Sequence, residues 1–136
     1  MLELGLTGRL QQAANDLFPR AEARGYDALD ERDRTLYCVW LFCGDVDAGG
    51  LRAFLGQGPA RRPQDTAAAL DRIGASDAAA VVRAGVALSP AGIRGDAPSS
   101  ARPPPDRERA LDELGARFDA IGSERILDRL VGWYFR

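Results

Sequence analysis

Side chains able to do chemistry near neutral pH are scarce in this sequence. All 18 of its basic residues are arginine, against 20 acidic ones, and it contains neither histidine nor lysine. Without an imidazole there is no Ser-His-Asp or Cys-His arrangement and no ready general base. Carboxylate neighbours such as Asp112 and Glu113 diverge on a helix, where pairing with arginines one turn away is their ordinary use. Gly56-Gln57-Gly58 is followed by Pro59 and preceded by no strand, so it does not read as a phosphate loop. Cys38 and Cys43 lie five residues apart, about 140° around a helix, which is too divergent to bridge. No histidine or third cysteine completes a metal site around them. The expectation is a chain with no catalytic residue, no metal and no cofactor, and so not an enzyme.

Charge is the other route to function. The net charge of −2 is too small to imply a nucleic-acid or membrane partner by itself. Its distribution is uneven. Residues 26–47 hold Asp27, Asp30, Glu31, Asp33, Asp45 and Asp47 against Arg32 and Arg34, a net −4. Residues 48–64 hold Arg52, Arg61 and Arg62 and no acid, a net +3. These blocks read either as solvated helix ends and a loop or as a docking dipole, with the six acids as a candidate partner-binding face.

The elements that position these groups are organised around Leu36–Phe54. Eight consecutive apolar residues, Leu36 to Cys43, lead to Asp45 and Asp47, then to Gly49-Gly50 and a fresh apolar start at Leu51. Asp30 suits an N-cap, with Glu31 and Asp33 in the first turn where the helix dipole favours acids. This predicts a buried central helix to about Val46, a tight glycine turn at Gly49 and Gly50, and a short helix folded back. A buried strand is the rival, but no second strand-like run exists to pair with it.

On either side the spacing is helical. Leu2, Leu6, Leu10, Ala13, Ala14, Leu17 and Phe18 define an N-terminal amphipathic helix, continued past Pro19 to Gly25. A helix from Gln64 or Asp65 turns Ala67, Ala68, Leu70 and Ile73 inward and stops at Gly74. Ser76 caps a helix to Leu88, whose small residues suit close packing. Residues 89–105 carry five of the eight prolines and read as a long loop. Asp106 caps a helix burying Leu111, Leu114, Phe118 and Ile121, and Ser123 caps a last one bearing Ile126, Leu127, Leu130, Val131 and Tyr134. Residues 66–88 have helix-turn-helix spacing. The second helix carries Arg83 alone as a base and opens on Asp77, a poor fit to phosphate. The expected fold is all-α: a single compact multi-helix domain over residues 1–136, with residues 1–25 as an N-terminal helical segment.

One stretch is more specific than helical periodicity. Asp45-Val46-Asp47-Ala48-Gly49-Gly50-Leu51-Arg52-Ala53-Phe54-Leu55 resembles the acidic–Val–Asn–Asn–Gly–Gly–Phe–x–Gln–Phe–Phe signature of a bacterial helical family. That family includes an acidic DNA-mimic protein, which binds a transcription factor in place of DNA. Leu70, Ile73, Gly74 and Ala75 are similar to its Leu–x–x–Ile–Gly–Ala segment, and Leu111, Leu114, Phe118, Leu127, Leu130 and Tyr134 fit its later helices. The resemblance spans roughly residues 34–136. Asp47 and Ala48 replace the two asparagines, Leu51 the phenylalanine and Ala53 the glutamine.

The resemblance implies a non-catalytic protein-binding module that takes a DNA-binding protein as partner. No direct nucleic-acid or membrane contact is expected, since the net charge is small and no run approaches the ~20 apolar residues of a membrane span. A mimic needs carboxylates left unpaired, and residues 106–136 set seven acids against six arginines. Only residues 26–47 therefore remain as the acidic face. The alternative is an immunity or regulatory protein that binds a specific partner without imitating DNA. Free thiols suit a cytoplasmic location. Trp133, Tyr134 and Phe135 are expected to bury against the core in part, leaving one ring for the interior or for a homodimer or partner surface.

Overall fold

The computed structural model describes residues 2–57, 61–88 and 105–135, and in them every regular element is helical. The helices are α1 (Leu2–Arg24), α2 (Glu31–Gly56), α3 (Pro63–Arg72), α4 (Ser76–Leu88), α5 (Pro105–Ile121) and α6 (Ser123–Tyr134). A single turn of 3-10 helix, Tyr26–Ala28, joins α1 to α2. The architecture is the all-α one expected, with no strand among the described residues.

The apolar block of residues 36–43 is helical because its neighbours supply cover instead of strand partners. α2 packs against α1, α3, α5 and α6, and α4 closes the far side between α3 and α5. Leu36, Val39 and Phe42 are fully enclosed. At about 1.5–3 kcal/mol for each large apolar side chain buried, this segment carries much of the hydrophobic drive to fold. Asp30 caps α2, its Oδ1 accepting the Asp33 N–H at 2.8 Å.

Gly49 (φ −153°, ψ 16°) and Gly50 (φ 79°, ψ −175°) break the helical course of α2. The consequence is visible in the rings of Phe42 and Phe54, which meet edge to face with centroids 4.8 Å apart. Twelve residues of unbroken helix would separate them by about 18 Å, so the chain doubles back at the glycines. Phe118 of α5 meets Phe42 from another side at 5.3 Å, again edge to face. The two glycines serve different needs. Gly50 occupies a backbone region open to glycine almost alone, whereas a Cβ on Gly49 would lie 2.8 Å from the Ala53 Cβ.

Several boundaries differ from the sequence reading. α3 begins at Pro63, whose missing N–H costs nothing in a first turn. It buries Ala69 in place of Ala68, which is exposed. α4 begins at Ser76 itself, with Ala79 N–H bonded to the Ala75 carbonyl. α5 starts one residue before Asp106. α6 follows Gly122 (φ 81°), and Ser123 uses its hydroxyl elsewhere. α1 runs through Pro19 without stopping and ends before Gly25 (φ 90°). Leu10, Ala14 and Leu17 line its buried face. The side chains of Leu2 and Leu6, and most of the proline-rich stretch, lie outside the described residues.

Candidate partner-binding face and the glycine kink

The six candidate acids fall into two groups. Asp27, Asp30, Glu31 and Asp33 gather at the N-terminal end of α2, while Asp45 and Asp47 lie near the kink. The fifteen residues from Asp30 to Asp45 span about 22 Å of helix, so one α2 turn cannot present all six together.

Their surroundings differ as much as their positions. Asp27 is exposed in the 3-10 turn, and its backbone carbonyl accepts a 2.6 Å hydrogen bond from Arg34. Asp30 is exposed and serves as the helix cap. Glu31 lies 3.3 Å from Arg72 Nε in an open pair, and the same arginine donates to the buried Thr35 hydroxyl at 2.6 Å. Asp33 faces Arg20 at 3.5 Å. Asp45 is the most enclosed, its side chain 14% exposed and held by Arg61 Nε at 2.7 Å and Nη2 at 3.3 Å. Asp47 is exposed and accepts the Ser123 hydroxyl at 2.7 Å, tying the kinked end of α2 to the start of α6. Asp45 and Arg61 come from the acidic and basic blocks of the sequence, so the fold neutralises part of the charge separation between them.

A further set of acids lies beside the kink, counted in the sequence but set aside there because six arginines accompany the seven acids of residues 106–136. On α5, Glu108 and Asp112 hold Arg52, with Glu108 Oε2 to Nη1 and Asp112 Oδ1 to Nη2 both at 2.8 Å. Asp119 lies on the same stripe, seven residues beyond Asp112. The i, i+4, i+11 spacing of Glu108, Asp112 and Asp119 was the available signal, since those offsets return to one helix face.

Burial governs the titratable groups of the core around α2. The two thiols are buried and unbridged. Burial pushes Cys43 up to about 12 and raises Cys38 as well, despite hydrogen bonding that favours the Cys38 thiolate. The Tyr26 hydroxyl lies 3.5 Å from Cys38 Sγ, and burial first, then Cys38, drives its pKa far above the ordinary phenol value. Arg34 and Arg62 both lie over the Tyr26 ring, at 5.3 and 4.0 Å from its centre. Arg83, the single base on the second helix of the helix-turn-helix candidate, is bound to Asp71 at 2.6 Å. Among the described residues no group of three or more potential ligands could hold a metal ion, and no helix is long and apolar enough to cross a membrane.

The family model described as DMP19-like protein matches residues 27–136. The chain belongs to the DMP19-like family. The match begins at Asp27, somewhat before the resemblance carried by the glycine signature, and takes in α2 to α6 with the whole acidic block. The helical family with an acidic DNA mimic among its members, expected from Asp45–Leu55, is this DMP19-like family. No curated protein and no solved structure matches the chain. Within the signature, the acidic first position is Asp45, clasped by Arg61, and the Gly-Gly pair forms the reversal that brings Phe54 onto Phe42.

Proposed function

We propose that this DMP19-like chain is a non-catalytic cytoplasmic binding protein that occupies the DNA-contacting surface of a DNA-binding protein. Family membership over residues 27–136 carries the reading. Asp27 and Asp30 support it, as exposed carboxylates at one end of the central helix, with Glu31 in an open pair beside them. The test is affinity capture from the native host at low salt, followed by duplex-DNA competition against the captured partner. A partner that binds DNA, is displaced by duplex and loses affinity steeply with salt is the expected result. Capture only of proteins indifferent to DNA overturns the reading.

A second reading, a regulatory or immunity protein that fits its partner by shape, is favoured by the pairing of Asp33 with Arg20 and Asp45 with Arg61. Carboxylates already answered within the chain have less to offer a basic surface. That reading predicts weak salt dependence and no competition by DNA.

A further inference from the structure

Beside the kink, the chain and α5 enclose an open groove of about 260 Å³. Gly49, Gly50, Gly115 and Ala116 give it walls with almost no side chain, and a Cβ built on Gly50 or Gly115 would meet nothing within 4 Å. The volume exceeds that of several waters, each of which takes about 30 Å³ in the liquid. Asp112 and Asp119 stand on its α5 side, with Asp47 close by, two residues before Gly49. Arg52 also lines it, but this cation is already held by Glu108 and Asp112.

That ion pair shows how the α5 stripe holds a guanidinium. Arg52 spreads its two terminal nitrogens over carboxylates one helical turn apart, and Nη2 reaches the Glu108 carbonyl at 3.3 Å. The forked guanidinium suits this spacing of acceptors in a way that a point-like ammonium does not. Two turns along the same stripe, Asp119 is exposed and no arginine among the described residues pairs with it. The groove thus has room, one carboxylate at Asp119 left unanswered among the described residues, and beside it an example of the same helix holding a guanidinium.

We infer that the groove between the Gly49–Gly50 kink and α5 receives an arginine side chain of the partner protein, its guanidinium held by Asp119 and its stem lying along Gly115 and Ala116. The inference rests on the reading of the chain as a binder of DNA-binding proteins, whose DNA-contacting surfaces are rich in arginine. It differs from that reading in placing recognition at the kink as well as at the N-terminal end of α2.

The test uses the full chain, labelled with ¹⁵N and titrated with acetyl-Gly-Arg-Gly-amide. The neutral isostere carrying citrulline in place of arginine is the control. Amide shifts at Gly49, Gly50 and Gly115 with the arginine peptide alone are expected. Asp119→Asn should weaken the response about tenfold, and Ala116→Leu, which fills the groove, should abolish it. Equal response to both peptides, or shifts confined to other surfaces, overturns the inference. A variant whose spectrum loses its native dispersion is replaced by the other one. Wild-type chain, Asp119→Asn and Ala116→Leu are then compared in capture of the partner. Undiminished capture by both variants overturns the groove while the functional reading stands. An arginine-specific response in a chain that captures no DNA-binding protein retains the groove and overturns that reading.

Discussion

Arg32, in the first turn of α2, grips the last turn of α6 through Tyr134. Its Nε and Nη2 donate to the Tyr134 carbonyl at 3.1 and 2.8 Å, and its guanidinium lies 4.0 Å from the centre of the Tyr134 ring. One side chain therefore satisfies an otherwise open helix-end carbonyl and stacks on the ring of the same residue. Arg32→Ala should cost about 1 kcal/mol, because the arginine is itself exposed. Hydrogen exchange should show the change concentrated in residues 123–134. Arg32→Lys should not restore protection, since an ammonium cannot make both bonds and stack. Unaltered exchange in Arg32→Ala would dismiss the contact as incidental.

Gly50→Val should destabilise the fold by about 1–3 kcal/mol, because φ 79° with ψ −175° excludes a β-branched side chain. Gly49→Val should also destabilise, but through collision with Ala53. Ala53→Gly in the same chain should therefore relieve Gly49→Val and leave Gly50→Val unrelieved. Urea midpoints of the four variants check this, and an unchanged midpoint for Gly50→Val refutes it.

Much of the fold was readable because its determinants are local. Asp30 announces a cap through its own side chain, and the Gly49-Gly50 pair announces a break through missing ones. The carboxylate partners were not readable. Asp45 and Arg61 lie sixteen residues apart, and only the packing of α3 on α2 decides that they meet. Ser123 was read as a cap from its place at a helix start, yet its hydroxyl goes to Asp47, seventy-six residues earlier. A residue type limits the bonds that a side chain can make, and tertiary packing then chooses among them. The same distinction explains why the six acids of residues 26–47 were legible as a composition while their arrangement in two groups was not.

The Asp45–Arg61 pair should behave as a structural fastening. Its side chains are 14% and 26% exposed, so Asp45→Ala leaves a partly enclosed guanidinium unanswered. A double-mutant cycle with Arg61→Ala should return a coupling of about 1 kcal/mol. The open Glu31–Arg72 pair should return near zero in the same assay. If Asp45→Ala keeps full stability and loses its partner in the capture assay, the residue belongs to the binding face instead.

Stability should decline in alkali as the Cys43 thiol is forced to ionise. Its folded pKa, about 12, lies above the ordinary value of 9.0. The folded state therefore holds this proton more tightly, and the stabilisation is fully present below pH 9.0 and lost as pH rises towards about 12. Cys43→Ala should flatten that part of the curve. Chain denaturation monitored between those limits checks it, and a slope identical in both proteins would remove Cys43 as the cause.

At the C-terminal end, Tyr134 is buried while Trp133 and Phe135 are half-buried against the core. Trp133→Ala and Phe135→Ala should each lower the melting temperature of a chain that stays monomeric in sedimentation. Trp133 is the side chain to watch. An unchanged melting temperature with a shift from dimer to monomer would assign it to a homodimer interface.

α6 covers the most apolar stretch of the chain long after that stretch is made, and that order has a consequence during synthesis. Residues 36–43 leave the ribosome well before α6, whose first residue follows Cys43 by eighty positions. At about 5–20 residues per second, that interval is about 4–16 s. For those seconds α2 lacks the cover that α5 and α6 later supply, and Phe42 still awaits Phe118. The nascent chain must hold its most adhesive segment against α1 and α3, or against a chaperone, until α6 arrives.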